Sequence, residues 1–160
     1  MAQDKTNVMR LLEQAKIPYT PHFYEHKDGA IDGIAVAQKL GQPFHQVFKT
    51  LMTRGSGKNC YVFVIPVAEE LNLKAAAKVC GEKSIEMIHV KEINALTGYI
   101  RGGCSPIGMK KSYPTFLNES AKEQETIIVS AGKIGTQVEL SPEDLSSYIG
   151  AQFAPLTKKP

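Results

Sequence analysis

Apolar residues recur along this chain in two rhythms, and the change of rhythm marks its elements. Val8, Leu11, Leu12 and Ala15 fall at helical spacing behind Thr6, which predicts an N-capped helix through Lys16. Ile17 to His26 (IPYTPHFYEH) is β-prone, but Pro18 and Pro21 restrict it to an edge or irregular strand. Ile31 to Leu40 predicts a short helix closed by Gly41. Gln46 to Arg54 and Asn59 to Pro66 are β-branched-rich runs around Gly55-Ser56-Gly57-Lys58, the pattern of a hairpin. Leu71 to Cys80 predicts a helix closed by Gly81, and Val90 to Leu96 another closed by Gly98. Tyr99 to Arg101 and Lys110 to Phe116 predict short strands on either side of a glycine-rich loop. Glu125 to Ser130 predicts a buried strand, and Thr136 to Leu140 alternates as a strand does, across the turn Ala131-Gly132-Lys133-Ile134-Gly135. Ser141-Pro142-Glu143-Asp144 begins a helix with an N-cap serine, a proline at its first position and an acid at its third; that helix runs to Tyr148 or Ile149 and ends at Gly150. A last strand near Gln152 to Ala154 precedes a frayed basic tail, Lys158-Lys159-Pro160.

Strands outnumber helices, and several are joined by hairpins rather than helical crossovers. This predicts an α+β domain: a largely antiparallel sheet or closed barrel with helices packed outside. Its 160 residues are enough for one core, so one domain is expected over residues 1–160. There is no internal repeat, low-complexity block or linker.

Composition narrows the function classes. The chain is 42% hydrophobic and 22% charged, which suits a globular protein. Lysine and arginine number 19 against 16 acids, a net charge of +3 that permits an RNA partner without arguing for one. Cys60, Cys80 and Cys104 form no metal-type spacing and read as reduced thiols. The start, Met1-Ala2-Gln3-Asp4-Lys5, lacks the apolar core of a signal peptide, and no run reaches membrane-spanning length, so a cytoplasmic location is expected.

The chemistry concentrates in Gly98 to Lys111, GYIRGGCSPIGMKK. Glycine at this density serves positive φ or a close approach, and bare main chain leaves N–H groups able to face an anion or oxyanion. Gly102-Gly103 reads either as such a donor nest or as a bulge where a sheet curves. Lys49, between Phe48 and Thr50-Leu51, either turns its ammonium into a pocket or alternates outward into water; spacing alone favours the outward reading. Ser130 ends an apolar strand at a glycine turn, as a pocket hydroxyl or a simple turn residue. Tyr24 serves a ligand or the core. Cys104 follows the glycine pair without an obvious histidine partner and reads as a buried thiol rather than a nucleophile. His22, His26, His45 and His89 have no ligand-type spacing, so no metal is expected. Lys110-Lys111 and the Lys74, Lys78, Lys83 face read as solvated.

In order, Tyr24-Glu25-His26, Val47 to Leu51, Pro66-Val67 before Leu73-Lys74, Gly98 to Gly108 and Val129 to Lys133 resemble the YbaK/EbsC family of aminoacyl-tRNA deacylases, related to the editing domain of bacterial prolyl-tRNA synthetases. G-Y-x-x-G-G-x-S-P-x-G is the specific part, and the match spans nearly the whole chain. The resemblance implies a mixed, largely antiparallel β-barrel surrounded by peripheral helices, with no cofactor. It implies removal of cysteine from mischarged tRNA(Pro), beside prolyl-tRNA synthetase, with no membrane or DNA partner. Lys49 matches the family's essential lysine and is assigned, with Gly102 and Gly103, to catalysis; Tyr24, Ser130, Thr50 and Gln137 are assigned to the substrate. Many relatives carry an acid where Gln137 stands, so a carboxylate able to meet the substrate's amino group is missing here. In the family picture the substrate's own thiol attacks its ester and leaves as a thiolactone. Three rivals are a water-using Ala-tRNA(Pro) deacylase, a non-catalytic module that binds charged tRNA or a synthetase, and a Lys49 Schiff-base enzyme.

Overall fold

A computed structural model of the protein describes residues 5–158. The reading of Met1 to Asp4, and of Lys159 and Pro160 in the tail, lies outside the described residues. Among those described, the helices are α1 (Asn7–Gln14), α2 (Gly33–Leu40), α3 (Leu73–Cys80), α4 (Val90–Thr97) and α5 (Pro142–Ile149), with a 3-10 turn at Glu119–Glu123. The strands are β1 (Thr20–Phe23), β2 (Phe48–Gly55), β3 (Cys60–Pro66), β4 (Ile85–Met87), β5 (Thr115–Asn118), β6 (Ile127–Ser130), β7 (Thr136–Leu140) and β8 (Gln152–Ala154). The expected caps are in place. Thr6 accepts from the Met9 N–H, Ser141 from that of Asp144, and Gly41, Gly81, Gly98 and Gly150 each sit just past a helix. No helix of the described residues is long and apolar enough to cross a membrane.

The strands form two sheets rather than one closed barrel. The smaller has the order β1-β7-β6, antiparallel throughout. The larger has the order β4-β2-β3-β5-β8, in which β4, β2 and β3 are antiparallel and β3, β5 and β8 parallel. The sheets touch through a single bridge, Val47 to Ile128, with the Ile128 N–H on the Gln46 carbonyl at 2.9 Å. The barrel expectation fails for a local reason. Further along β2 the free edge is taken by β4, so β6 cannot extend its pairing there. At the outer edges β1 carries Pro21, which lacks a ladder donor, and β8 is three residues long.

β3 explains why its sequence is an unbroken apolar run: it is buried on both faces. Val62 and Val64 face one core with Met9, Leu12, Leu117 and Val138. Phe63 and Ile65 face the other, where Phe63 stacks on Phe116 with ring centroids 5.5 Å apart.

Two further expectations are corrected. Tyr99 to Arg101 is not a strand, and of Lys110 to Phe116 only Thr115 and Phe116 are. That segment is closed by side chains instead of a ladder: Tyr99 donates its hydroxyl to the Ile107 carbonyl at 2.5 Å and Tyr113 to that of Leu96 at 2.7 Å. Ile107 is fully buried and anchors the loop. β4, too short to leave a periodic pattern, is an element that the hydrophobic rhythm misses.

Gly132 shows what the turn after β6 demands. Its φ is +91°, and a Cβ there would lie 2.9 Å from Tyr99 Cε1 and 3.1 Å from Val8 Cγ2. Gly29 has a similar φ of +77° with nothing within 4 Å. Gly29→Ala is expected to lose about 1–2 kcal/mol from the left-handed backbone alone. Gly132→Ala is expected to lose that and about 1–3 kcal/mol more from overpacking. Urea midpoints of the two variants check this, and equal losses would contradict the tight packing at the turn.

Candidate active site

β2 brings Lys49 and Thr50 to the wall of a cavity of about 740 Å³ lying where the two sheets diverge. Pairing with β3 sets Lys49 opposite Ile65 and Thr50 opposite Val64. Lys49 is half-buried, not solvated, so the outward reading that spacing favoured does not hold. Its ammonium donates to the Val67 carbonyl at 3.2 Å, its one hydrogen bond among the described residues. Burial pushes its pKa below the usual lysine range, and the carboxylates of Glu70 and Glu69 partly oppose that. An ammonium has three donors, so two remain for a ligand. Beside it, the Thr50 hydroxyl oxygen is buried without a protein partner, an uncommon state for such a group.

The glycine-rich loop forms another part of the wall. Arg101, Gly102 and Cys104 line the cavity. Gly102 has φ +89°, and its N–H has no acceptor among the described residues. A Cβ there would come within 2.8 Å of Ile31 Cδ1. Gly103 behaves differently. Its N–H is engaged by the Ile100 carbonyl at 2.9 Å, and it does not line the cavity. A Cβ on Gly103 would lie 3.1 Å from the Ile134 nitrogen, so its bareness lets the loop pack on the Lys133-Ile134 turn. The two-donor nest expected of the pair thus reduces to one free N–H, with Gly103 as a spacer behind it. Burial pushes the Cys104 thiol up to about 11, which leaves it protonated at neutral pH.

The smaller sheet supplies the floor. Ser130, Thr136, Gln137 and Tyr24 line the same cavity as Lys49. Ser130 and Gln137 are register partners across β6 and β7. The Ser130 oxygen accepts from the Gly132 N–H at 3.2 Å, so its own proton is free to donate. Gln137 is buried and accepts from the Gln42 side chain at 2.9 Å, while the Gln42 oxygen is buried without a partner. Tyr24 is held by its own N–H on the Gly135 carbonyl at 3.0 Å. Of the seven residues expected from sequence, the cavity therefore gathers Lys49, Gly102, Tyr24, Ser130, Thr50 and Gln137, and leaves out Gly103. Gln42 and the Val67 carbonyl went unseen. A glutamine after a helix-ending glycine gives no signal, and a main-chain acceptor none at all. The histidines do not converge: His22 pairs with Glu139 at 2.7 Å, and no group of three His, Cys, Asp or Glu among the described residues could hold a metal.

Chemically, this is a half-buried cation and an unengaged amide on the walls of one cavity edged with hydroxyls and amides. Such a site suits a polar ester whose carbonyl charge must be stabilised without an enzyme nucleophile. A protein of Enterococcus faecalis that carries the provisional name Cys-tRNA(Pro)/Cys-tRNA(Cys) deacylase EbsC is 49% identical over 157 residues, 98% of this chain and 96% of that protein. An uncharacterised Bacillus subtilis protein, YwhH, is 26% identical over 112 residues, covering 70% of this chain and 71% of its own. A crystal structure described provisionally as a trans-editing enzyme for prolyl tRNA synthetase shares the fold, with a TM-score of 0.80 at 21% identity over 98% of this chain and all of that one. The family model for the aminoacyl-tRNA editing domain matches residues 31–148. This chain belongs to the aminoacyl-tRNA editing domain family.

Proposed function

We propose that the protein is a trans-editing hydrolase that removes cysteine from Cys-tRNA(Pro). The observation that carries this reading is Lys49: its ammonium is half-buried, anchored by one carbonyl, and shares a cavity with the unengaged Gly102 N–H. In this reading the free donors of Lys49 bind the oxygens of the terminal nucleotide, and the Gly102 N–H polarises the ester carbonyl. Ser130, Thr50, Tyr24 and Gln137 orient the amino acid. Gln137, held from behind by the Gln42 side chain, supplies a neutral amide oxygen for the substrate's amino group, where a carboxylate would supply charge.

The substrate thiol is the nucleophile. Its sulfur attacks the carbonyl carbon, the carbon–oxygen bond to the ribose breaks, and the thiol proton passes to the released ribose hydroxyl. Water then opens the thiolactone to free cysteine. The protonated state of Cys104, the one cysteine on the cavity wall, supports a nucleophile supplied by the substrate. A thiol requirement also gives a discrimination that fitting one small side chain does not reach. With a net charge of +3 the chain has modest grip on RNA, which supports action beside prolyl-tRNA synthetase.

Lys49→Met is expected to lower deacylation of Cys-tRNA(Pro) by about 10²–10³-fold, the scale of a lost electrostatic stabiliser. The fold should survive with no drop in melting temperature, because the ionised group costs stability at neutral pH. The sign follows from the depressed pKa: that cost is relieved as pH rises through the lowered value, so the melting-temperature gap between variant and wild type should narrow in alkali. Release of labelled cysteine and melting curves at several pH values check both; normal turnover by the folded variant refutes the role.

Cys104→Ala should keep deacylation within about twofold, consistent with a thiol that is not a thiolate. A dead but folded variant would place the nucleophile on the enzyme. Ala-tRNA(Pro) should release its amino acid far more slowly than Cys-tRNA(Pro) in the same assay. Equal rates would make water the nucleophile instead.

A further inference from the structure

The cavity accounts for the ester and its terminal nucleoside, and leaves open where the rest of the RNA strand goes. A second cleft of about 400 Å³ answers this. It lies between the chain leaving β1, Phe23 to Lys27, and the turn Lys133 to Thr136. It shares two wall residues with the cavity, Tyr24 and Thr136, so the two adjoin. The Tyr24 N–H on the Gly135 carbonyl holds its two sides together, and the turn is closed by the Thr136 hydroxyl on the Lys133 carbonyl at 2.6 Å. His26 lies over the bare Gly135, where a Cβ would fall 2.7 Å from its Cδ2.

The charges along this path have one predominant sign. Lys27, His26 and Lys133 are exposed on the cleft, and Arg101 is exposed at the cavity wall beside it. Gly103 packs against the main chain of Lys133 and Ile134, which puts Arg101 and Lys133 on neighbouring loops. Among the described residues Lys27, Lys133 and Arg101 enter no ion pair. Glu25 also lines the cleft and keeps its charge, its carboxylate accepting from the Lys27 backbone N–H at 2.7 Å, and the two lysines outnumber it. The nearby Asp28 is paired with Lys39 at 2.7 Å. A third cleft, at Thr6, Tyr99 and Lys110, shares no wall with the cavity and so offers no exit from it.

We infer that the cleft between Tyr24–Lys27 and Lys133–Thr136 is a phosphate subsite: Lys27 and Lys133 hold the backbone phosphates of the nucleotides just upstream of the esterified one. This rests on the proposed deacylase activity. It adds a binding track that the ester chemistry itself does not need, so the two are separable by substrate length.

The experiment compares Cys-tRNA(Pro) with the cysteinyl ester of a single adenosine, which has no upstream phosphate. The proteins are the wild type and the Lys27→Ala/Lys133→Ala double variant. With tRNA, the variant's KM should rise about tenfold near physiological salt, and the slope of log KM against log salt should fall by about 1.4, some 0.7 for each lost contact to a single strand. Its kcat with tRNA, and both constants with the short ester, should stay within about twofold, since neither phosphate contact is then in play. The short ester also reports folding. An unchanged KM for tRNA, or an equal loss on both substrates, overturns the subsite. A wild type that frees cysteine from neither substrate overturns the deacylase reading itself, and the subsite with it.

Discussion

One half-buried ammonium is the constraint on which the proposed chemistry depends. Lys49 is carried on a central strand, buried enough to lose much of its hydration, and given a single carbonyl in return. A lysine in that state is a standing cost to the fold, because desolvation disfavours the charged form and one neutral acceptor does not fully compensate. The cost makes sense where the remaining donors await an anionic or strongly polar ligand. The orphaned Thr50 hydroxyl, on the wall of the same cavity, tells the same story. Two unsatisfied polar demands, from adjacent residues of β2, meet at one cavity, as expected where fold stability yields to binding.

The open arrangement of the sheets makes room for that cavity. A closed barrel would continue the ladder from Val47 and Ile128 along β2 and β6, and the two strands would lie side by side along their length. Instead they part after one bridge, and the glycine-rich loop crosses the gap. Gly103 lets that loop seat on the Lys133-Ile134 turn, and Gly102 presents bare main chain toward Ile31. The loop and turn are thus mutually supporting. This couples that part of the cavity wall to the floor strands and to the basic cleft beyond them.

Much of this was legible in the amino-acid order, and the exceptions have physical causes. Hairpin, caps and helix ends were readable because turn glycines, N-cap side chains and periodic apolar faces act locally. Thr136–Leu140 and Gln152–Ala154 match the expectation to the residue. Tyr99 to Arg101 misled because its apolar residues anchor singly, through a tyrosine hydroxyl and one buried isoleucine, instead of along a ladder. Lys49 misled by alternation, since strand spacing says nothing about whether the facing volume is water or cavity. The family motif, which reports the outcome of packing rather than its local cause, implies a site there, and the structure has Lys49 on the cavity wall. Gly103 shows the reverse: its place in the motif suggests a donor, while packing gives it a spacer's duty. Gln42 had no signal of any kind, because its importance comes from meeting Gln137 from a distant segment.

The most direct test of the central claim is a crystal structure with a stable amide analogue of cysteinyl-adenosine, in which nitrogen replaces the ester oxygen. The account predicts the analogue in the β2–loop cavity, its carbonyl oxygen within hydrogen-bond reach of the Gly102 N–H and the Lys49 ammonium on the nucleoside. An analogue seated elsewhere, or one that leaves Lys49 bonded to Val67 alone with the Gly102 N–H untouched, would contradict it.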